Sequence, residues 1–480
     1  MPKFVFLLTD FVLWLVVAGV LVYIWRVRHN ARAKANWLYV LRDAPAMCAA
    51  VVLGVFITIA LLDSVHFRPR LAAIEGAAAD TQVAYGTRTL SIFDALMAHA
   101  IEAREKTYST PLAYWSFQKE TQVVDGNEVR ANPRLTFGGS HLTEPEREWK
   151  ADIIARSFYG AVGGLLAGVA IAIAAAGLIG HKHGGLRVSL AGIARAKTEI
   201  PWRPMLITVI AMAIIIGWLA ALWPYYHPFG TDRTGNDVLY QALKSIRTAV
   251  VIGSLATIAT LPLAIALGIL AGYFRGWVDD AIQYFYTVLS SIPPILLVAA
   301  FVLLINVYID QHADVFETGV ERAEFRLFLL CLILGVTGWA TLCRLLRAET
   351  LKIAELDYVQ AAHAFGVSKW RVMARHILPN VMHLVLIVAV LDFSALVLYE
   401  AVLSYVGVGV DPNSSSFGSM INLARSEMSR DPVVWWNLAT AFTFMLALVL
   451  AANFFADAVR EAFDPRARVF RPRRLLKEAA

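Results

Sequence analysis

The chain has 480 residues, of which 58% are hydrophobic and only 17% charged, with a formal net charge of +6. A mean hydropathy of +0.59 excludes an ordinary water-soluble protein and points to one built around membrane-spanning segments. The small basic excess is accounted for by membrane topology, without invoking nucleic acid.

About 20 apolar residues in a helix are needed to cross a ~30 Å hydrocarbon core. Nine runs meet that requirement, at roughly 4–25, 44–63, 157–180, 205–226, 249–274, 281–309, 327–343, 384–406 and 433–456. The first carries Asp10, and its charged end follows the apolar run rather than preceding it, so a retained span is expected instead of a cleaved signal peptide. Residues 64–156 contain Pro69, Pro111, Pro133 and Pro145 with the aromatics Tyr85, Phe93, Tyr114, Trp115 and Phe117. That composition suits a small folded domain better than a disordered linker. Seating another protein and passive elaboration are both open readings of it.

The third span holds Gly160, Gly163, Gly164 and Gly168, which make Gly-x-x-x-Gly twice and predict close approach of another helix. In the sixth, Pro293-Pro294 predicts a kink with freed backbone carbonyls, which could either wall a cavity or be structural alone. The seventh is the shortest. The eighth carries Asp392 near its middle and Glu400 near one end. A charge inside a span costs about 2.5–3.5 kcal/mol on insertion scales, so such residues face protein or water. Two readings are open for the pair: a lining of a translocation path, or a hydrogen-bonded contact with a neighbouring chain.

More than half of the 43 Lys and Arg residues fall in the connectors 26–43, 181–203, 275–279 and 344–375 and in the tail 460–480. Short Lys/Arg-rich loops stay cytoplasmic. Threading nine spans through these anchors puts the amino terminus outside and the carboxyl terminus inside. The outer face then receives 64–156, 227–248, 310–326 and 407–432.

Cys48, Cys331 and Cys343 lie in or beside apolar spans, so no disulfide is expected in 64–156. His181-Lys182-His183 is read as a solvated turn, and no metal site is expected. No Gly-x-x-x-x-Gly-Lys-Ser/Thr loop is present, so no cofactor is assigned and any ATP must be handled by a partner. The absence of His-Glu-x-x-His and Gly-x-Ser-x-Gly argues against an intramembrane hydrolase, and no catalytic residue is assigned. No convincing repeat between halves supports a secondary transporter, the remaining rival class.

The most informative segment is 358–379, a polar, sharply punctuated stretch between apolar spans. Ala361 and Ala362 give a bare helical face, Gly366 permits a tight turn, and Pro379 suits the first turn of the next helix. This segment resembles the cytoplasmic coupling loop of ABC importer permeases. Ala361, Ala362, Gly366, Leu378 and Pro379 fall on that family's pattern, with Gln360 where glutamate is usual and His376, beside Ile377, where isoleucine is usual.

The stretch 227–239 is similar to a signature loop of the dipeptide, oligopeptide and nickel-type importers, through His227, Gly230, Thr231, Asp232, Gly235 and Asp237. Asn236 stands where the family commonly has arginine. Asp237 is placed to cap the helix that follows. Segment 271–279, residues Glu400, Leu403, Ser404, Gly407 and Gly409 with 417–420, and the ending 457–465 continue the likeness.

The resemblance implies an all-α polytopic membrane protein of about nine transmembrane helices, with a type I ABC importer permease core in the C-terminal half. It divides the chain into an N-terminal extension, 1–203, a permease domain, 204–466, and a basic cytoplasmic tail, 467–480. It further implies a bacterial inner-membrane subunit that imports short peptides or peptide-like solutes, with nickel or a metal chelate as the alternative. The partners it implies are a second permease chain, two ATPase subunits docked on 358–379, an outer solute-binding protein and the lipid bilayer.

Overall fold

The computed structural model describes residues 3–70, 85–86, 89–124, 127–180, 185–195, 198–316, 318–411 and 414–463. The 467–480 tail and the His181-Lys182-His183 turn lie outside the described residues. Strand β1 (Lys3–Val5) precedes helices α1 (Leu8–His29), α2 (Ala31–Leu41) and α3 (Ala44–Asp63). Next come β2 (His66–Arg68), β3 (Leu90–Ser91), the short helices α4 (Ile92–Leu96) and α5 (Ala98–Glu102), and strands β4 (Glu120–Val124) and β5 (Asn127–Ala131). Helices α6 (Pro145–Gly180), α7 (Leu186–Ala194), α8 (Trp202–Leu222) and α9 (Val238–Phe274) follow. The chain continues through α10 (Trp277–Ser291), α11 (Pro294–Gln311) and α12 (Gly319–Ala354). It ends with α13 (Asp357–Ala364), α14 (Lys369–Val372), α15 (Leu378–Val406), α16 (Phe417–Glu427) and α17 (Trp436–Phe463).

Among the described residues, nine helical stretches are long and apolar enough to cross a membrane: α1, α3, α6, α8, α9, α11, α12, the run from α14 through α15, and α17. The fold is thus all-α and polytopic. The strands are minor additions: β1, β2 and β3 form an antiparallel sheet in that order, and β4 pairs antiparallel with β5.

The sixth span departs most from its predicted form. The apolar run 281–309 is broken, because α10 stops at Ser291 and Pro294 opens α11 with Pro293 as its N-cap. Proline offers no N–H and clashes with the preceding turn, so two adjacent prolines end a helix more readily than they bend it. The crossing candidate is α11 alone. The 15-residue α10 leaves Trp277, Tyr284 and Phe285 exposed. The seventh span, shortest in the sequence, is the middle of a 36-residue helix.

The described residues fall into two compact units. The first comprises the described residues within 1–6, 41–249 and 412–451; the second comprises those within 7–40, 250–411 and 452–480.

In the first unit, α6 packs tightly against α8, as the glycines predicted. A Cβ at Gly164 would meet the Ala213 carbonyl oxygen at 2.3 Å, and one at Gly217 would meet the Gly160 oxygen at 2.6 Å. Gly163 has open space beside it. The contact therefore runs along Gly160, Gly164 and Gly168, one residue per turn on a single face. Gly164→Leu is expected to destabilise the chain by about 1–3 kcal/mol, the usual range for overpacking. Thermal unfolding in detergent would show a lower midpoint than for Gly163→Leu, and equal midpoints would refute this packing.

The second unit has its core where α9, α12 and the 358–379 segment meet. Ile269, Trp339, Cys343, Leu346 and Ile353 pack with Val359, Val372, Met373 and Ile377.

Candidate functional site

The 358–379 segment folds as the two-armed hairpin its punctuation predicted. The first arm is α13; the turn passes through Gly366 at φ +73°, a left-handed conformation that glycine adopts without a Cβ penalty. The second arm is α14, which runs through a π-helical turn, Met373–Ile377, into α15. Pro379 lies in the first turn of α15. A widened turn just before it accommodates the missing N–H and the ring.

Burial alternates sharply within the hairpin. Val359, Val372, Met373 and Ile377 are buried, while Ala362 and Leu378 are half-buried and pack on the same core. Gln360, Ala361, Gly366 and Pro379 are exposed. Gln360, in place of the family's glutamate, donates from Nε2 to the Ala354 carbonyl at 2.9 Å and so ties the first arm to the end of α12. At the tip, Phe365 is 87% exposed and Trp370 68% exposed.

The hairpin is braced from the end of α9. The Tyr273 hydroxyl lies 2.9 Å from His363 Nε2, and Phe274 meets Trp370 edge-on with ring centroids 6.1 Å apart. Arg275 pairs with Glu355, which caps α12. Arg347 of α12 grips Asp279 of α10 with two hydrogen bonds of 2.5 and 2.6 Å. Those bonds, with the arginine charge, hold the Asp279 carboxyl below its usual range against the opposing effect of burial. The result is a braced hairpin with small residues and aromatics exposed at its head.

The 227–239 loop lies in the first unit. Asp237 is its centre: Oδ1 accepts from the Tyr240 N–H at 2.9 Å, capping α9 as expected, and Oδ2 lies 2.8 Å from His227 Nδ1. Asp232 accepts from the backbone N–H groups of Thr234 and Asn236, at 2.8 and 2.9 Å, which shapes the turn without the arginine usual at Asn236.

A strap from the N-terminal extension clasps this loop. The Glu105 N–H donates to the Gly235 oxygen, Thr231 N–H to the Ser109 oxygen, and Leu112 N–H to the His227 oxygen. Thr231 Oγ1 is also bonded to the strap, donating to the Thr107 oxygen and accepting from Ser109 N–H. The approach is so close that a Cβ on Gly235 would lie 1.8 Å from the Glu105 oxygen, and one on Gly230 2.4 Å from the Ser109 oxygen. Both glycines have positive φ.

The Glu105 side chain accepts from the N–H groups of Thr136, Phe137 and Gly138 at 2.9–3.0 Å and faces His227 Nε2 at 3.6 Å. Burial opposes both charges. For His227, Asp237 and Glu105 outweigh burial and raise the pKa to about 9. For Glu105, His227 and the three backbone donors outweigh it and hold the pKa at about 2. Beside the loop, a cavity of about 540 Å³ is lined by Arg104 of the strap together with Asp232, Gln241, Lys244, Ser415 and Ser419.

Asp392 and Glu400 are placed differently. Asp392 is half-buried. Glu400 is buried and accepts from Ser404 Oγ at 2.6 Å, and that hydroxyl in turn accepts from the Val410 N–H.

Sequence reasoning missed Glu105, Ser109 and Trp436, whose indole N–H donates to the Thr231 oxygen at 3.0 Å. No local signal marks them, because each acts on a loop distant in sequence.

Residues 264–469 match the family model of the binding-protein-dependent transport system inner membrane component. The oligopeptide transport system permease protein of Haemophilus influenzae is 30% identical over 243 residues, covering 51% of this chain and 71% of that protein. A protein of the same description from Mycobacterium bovis is 30% identical over 245 residues, 51% of this chain and 78% of the relative. The dipeptide transport system permease protein of Lactococcus lactis is 28% identical over 239 residues, 50% and 64% respectively. The chain therefore belongs to the binding-protein-dependent transport system inner membrane components, as a permease of the dipeptide, oligopeptide and nickel type of ABC importer. The family model begins after the 227–239 loop and covers the whole 358–379 hairpin.

Proposed function

We propose that this chain, together with a second permease subunit, forms the membrane pathway of an ATP-driven importer of short peptides or peptide-like solutes. Two ATPase subunits lie on the cytoplasmic side, and a solute-binding protein delivers cargo from outside. The amino terminus is outside and the carboxyl terminus inside the bacterial inner membrane. The hairpin 358–379 enters a groove of one ATPase, so that closure of the ATPase pair biases the spans between two states. No catalytic residue belongs to this chain.

The observation that carries the coupling part is the braced, projecting hairpin, with Gly366, Ala361, Phe365 and Trp370 exposed at its head. Small residues admit close approach, and an exposed aromatic pair is the type of anchor that dominates protein interfaces. The peptide part is supported by the relatives, whose descriptions name oligopeptide and dipeptide transport. The 204–466 region is the transport domain, and the extension 1–203 holds its 227–239 loop through the Glu105 strap. That loop, the strap and the adjacent polar cavity form the surface that seats the binding protein.

The test is co-purification of the tagged chain expressed with its chromosomal neighbours. Two ATPase subunits and a second permease are expected to come down with it, and the assembly is expected to take up labelled trialanine. Capture of no ATPase would overturn the importer reading. Uptake of a nickel chelate instead of trialanine would replace the substrate.

A further inference from the structure

The helix break at Pro293-Pro294 leaves a cavity of about 440 Å³ in the second unit, lined by residues of α10, α11, α12 and α15. Most of its wall is aliphatic, including Leu297, Leu334 and Leu396. Two polar groups in that wall have unspent capacity. The Tyr399 hydroxyl is buried with no hydrogen-bond partner among the described residues. Arg344 has no carboxylate partner among the described residues; its guanidinium lies 5.0 Å from the centre of the Tyr286 ring. Thr337, by contrast, is satisfied by the Ile333 carbonyl at 2.8 Å.

An unpaired buried hydroxyl is costly, whereas Arg344, an exposed residue, brings a solvent-accessible positive charge to the rim of the same cavity. Arg344 can only donate and the Tyr399 hydroxyl can donate as well as accept, so the two can hold an anion together. On α15, Asp392 precedes Tyr399 by seven residues, two helical turns, and therefore shares its face, with the cavity-lining Leu396 between them. No hydrogen bond or ion pair engages Asp392 among the described residues. The rise along the helix separates Asp392 from Tyr399 by about 10 Å. A fully extended tripeptide spans about the same length.

We propose that this cavity is a solute site within the transport core, where Arg344 and Tyr399 hold the terminal carboxylate of a short peptide and Asp392 faces its ammonium end. The proposal rests on the peptide reading above and adds the residues that sense the peptide termini. Glu400, sealed against Ser404, takes no part.

The assembled importer with its binding protein, reconstituted in vesicles, would be assayed for uptake of trialanine and of trialanine amide. Wild type is expected to favour the free acid by about tenfold or more, the effect of losing one charge-assisted contact. Arg344→Gln should bring acid and amide near parity, Arg344→Lys should restore part of the preference, and Tyr399→Phe should raise the half-saturation for the acid alone. All variants are first checked for ATPase subunits at wild-type yield.

An unchanged acid-to-amide ratio in both Arg344→Gln and Tyr399→Phe overturns the site and leaves the peptide reading standing. Equal loss for acid and amide, varying with the anionic lipid content of the vesicles, assigns Arg344 to lipid anchoring and also overturns it. Transport of neither compound by wild type overturns the peptide reading and this site with it.

Discussion

Replacing Gly366 with aspartate is expected to abolish uptake while leaving the chain inserted and stable in the membrane. The turn holds φ at +73°, which disfavours a side chain by roughly 1–2 kcal/mol, with aspartate among the better-tolerated residues. Nothing lies within 4 Å of where the new Cβ would stand, so the chain itself meets no clash. The consequence falls outside the molecule, where a charged group would intrude between the exposed head of the hairpin and its partner. Disrupting a hot spot at the centre of an interface costs about 2 kcal/mol or more, roughly a 30-fold drop in the docked population. Gly366→Asn separates strain from charge, since it tolerates the same φ and carries no charge. Uptake should fall steeply for aspartate and less for asparagine, with ATPase subunits lost from the purified aspartate variant. Normal uptake by Gly366→Asp would falsify the coupling role.

The second large effect is expected at Glu105. Glu105→Ala leaves the N–H groups of Thr136, Phe137 and Gly138 without their acceptor and removes one of the two carboxylates beside the buried His227. Breaking a buried ion pair from one side costs about 3–5 kcal/mol. Glu105→Gln retains the shape and an acceptor oxygen and should lose less.

The pH dependence has a definite sign. Glu105, with its pKa lowered from 4.5 to about 2, contributes stability that is full above 4.5 and is lost as pH falls toward 2. His227, raised from 6.5 to about 9, contributes stability that is full below 6.5 and is lost as pH rises through 9. The clasp is therefore strongest between pH 4.5 and 6.5. Unfolding midpoints measured across that range and beyond should fall on both sides in wild type. In Glu105→Ala the acid limb should flatten and the alkaline limb should move to lower pH. Identical profiles for wild type and variant would remove the clasp from the account.

Much of this was legible residue by residue. Gly366 and Pro379 marked the turn and the helix start because glycine and proline restrict or release backbone angles wherever they stand. Asp237 was readable as a cap, since a cap needs only its own next few residues. The double proline was legible as an interruption, although its severity, two helices with a cavity beside them, depended on what packed around it. In the glycine-rich third span, the Gly-x-x-x-Gly pairs marked the face of Gly160, Gly164 and Gly168, and the structure showed that α8 is the helix packed against it, with Gly163 left in open space.

The sequence alone determined the membrane class, the nine apolar stretches, the family and the hairpin at 358–379. All of these rest on local composition, helical period and short-range punctuation. Only the tertiary structure decided that Glu105 of the extension closes on His227, that Glu400 is sealed inside while Asp392 is half-buried, and that Arg344 and Tyr399 line one cavity. Such pairings depend on which helices and loops pack together across long stretches of chain. Neither periodicity nor spacing encodes that choice.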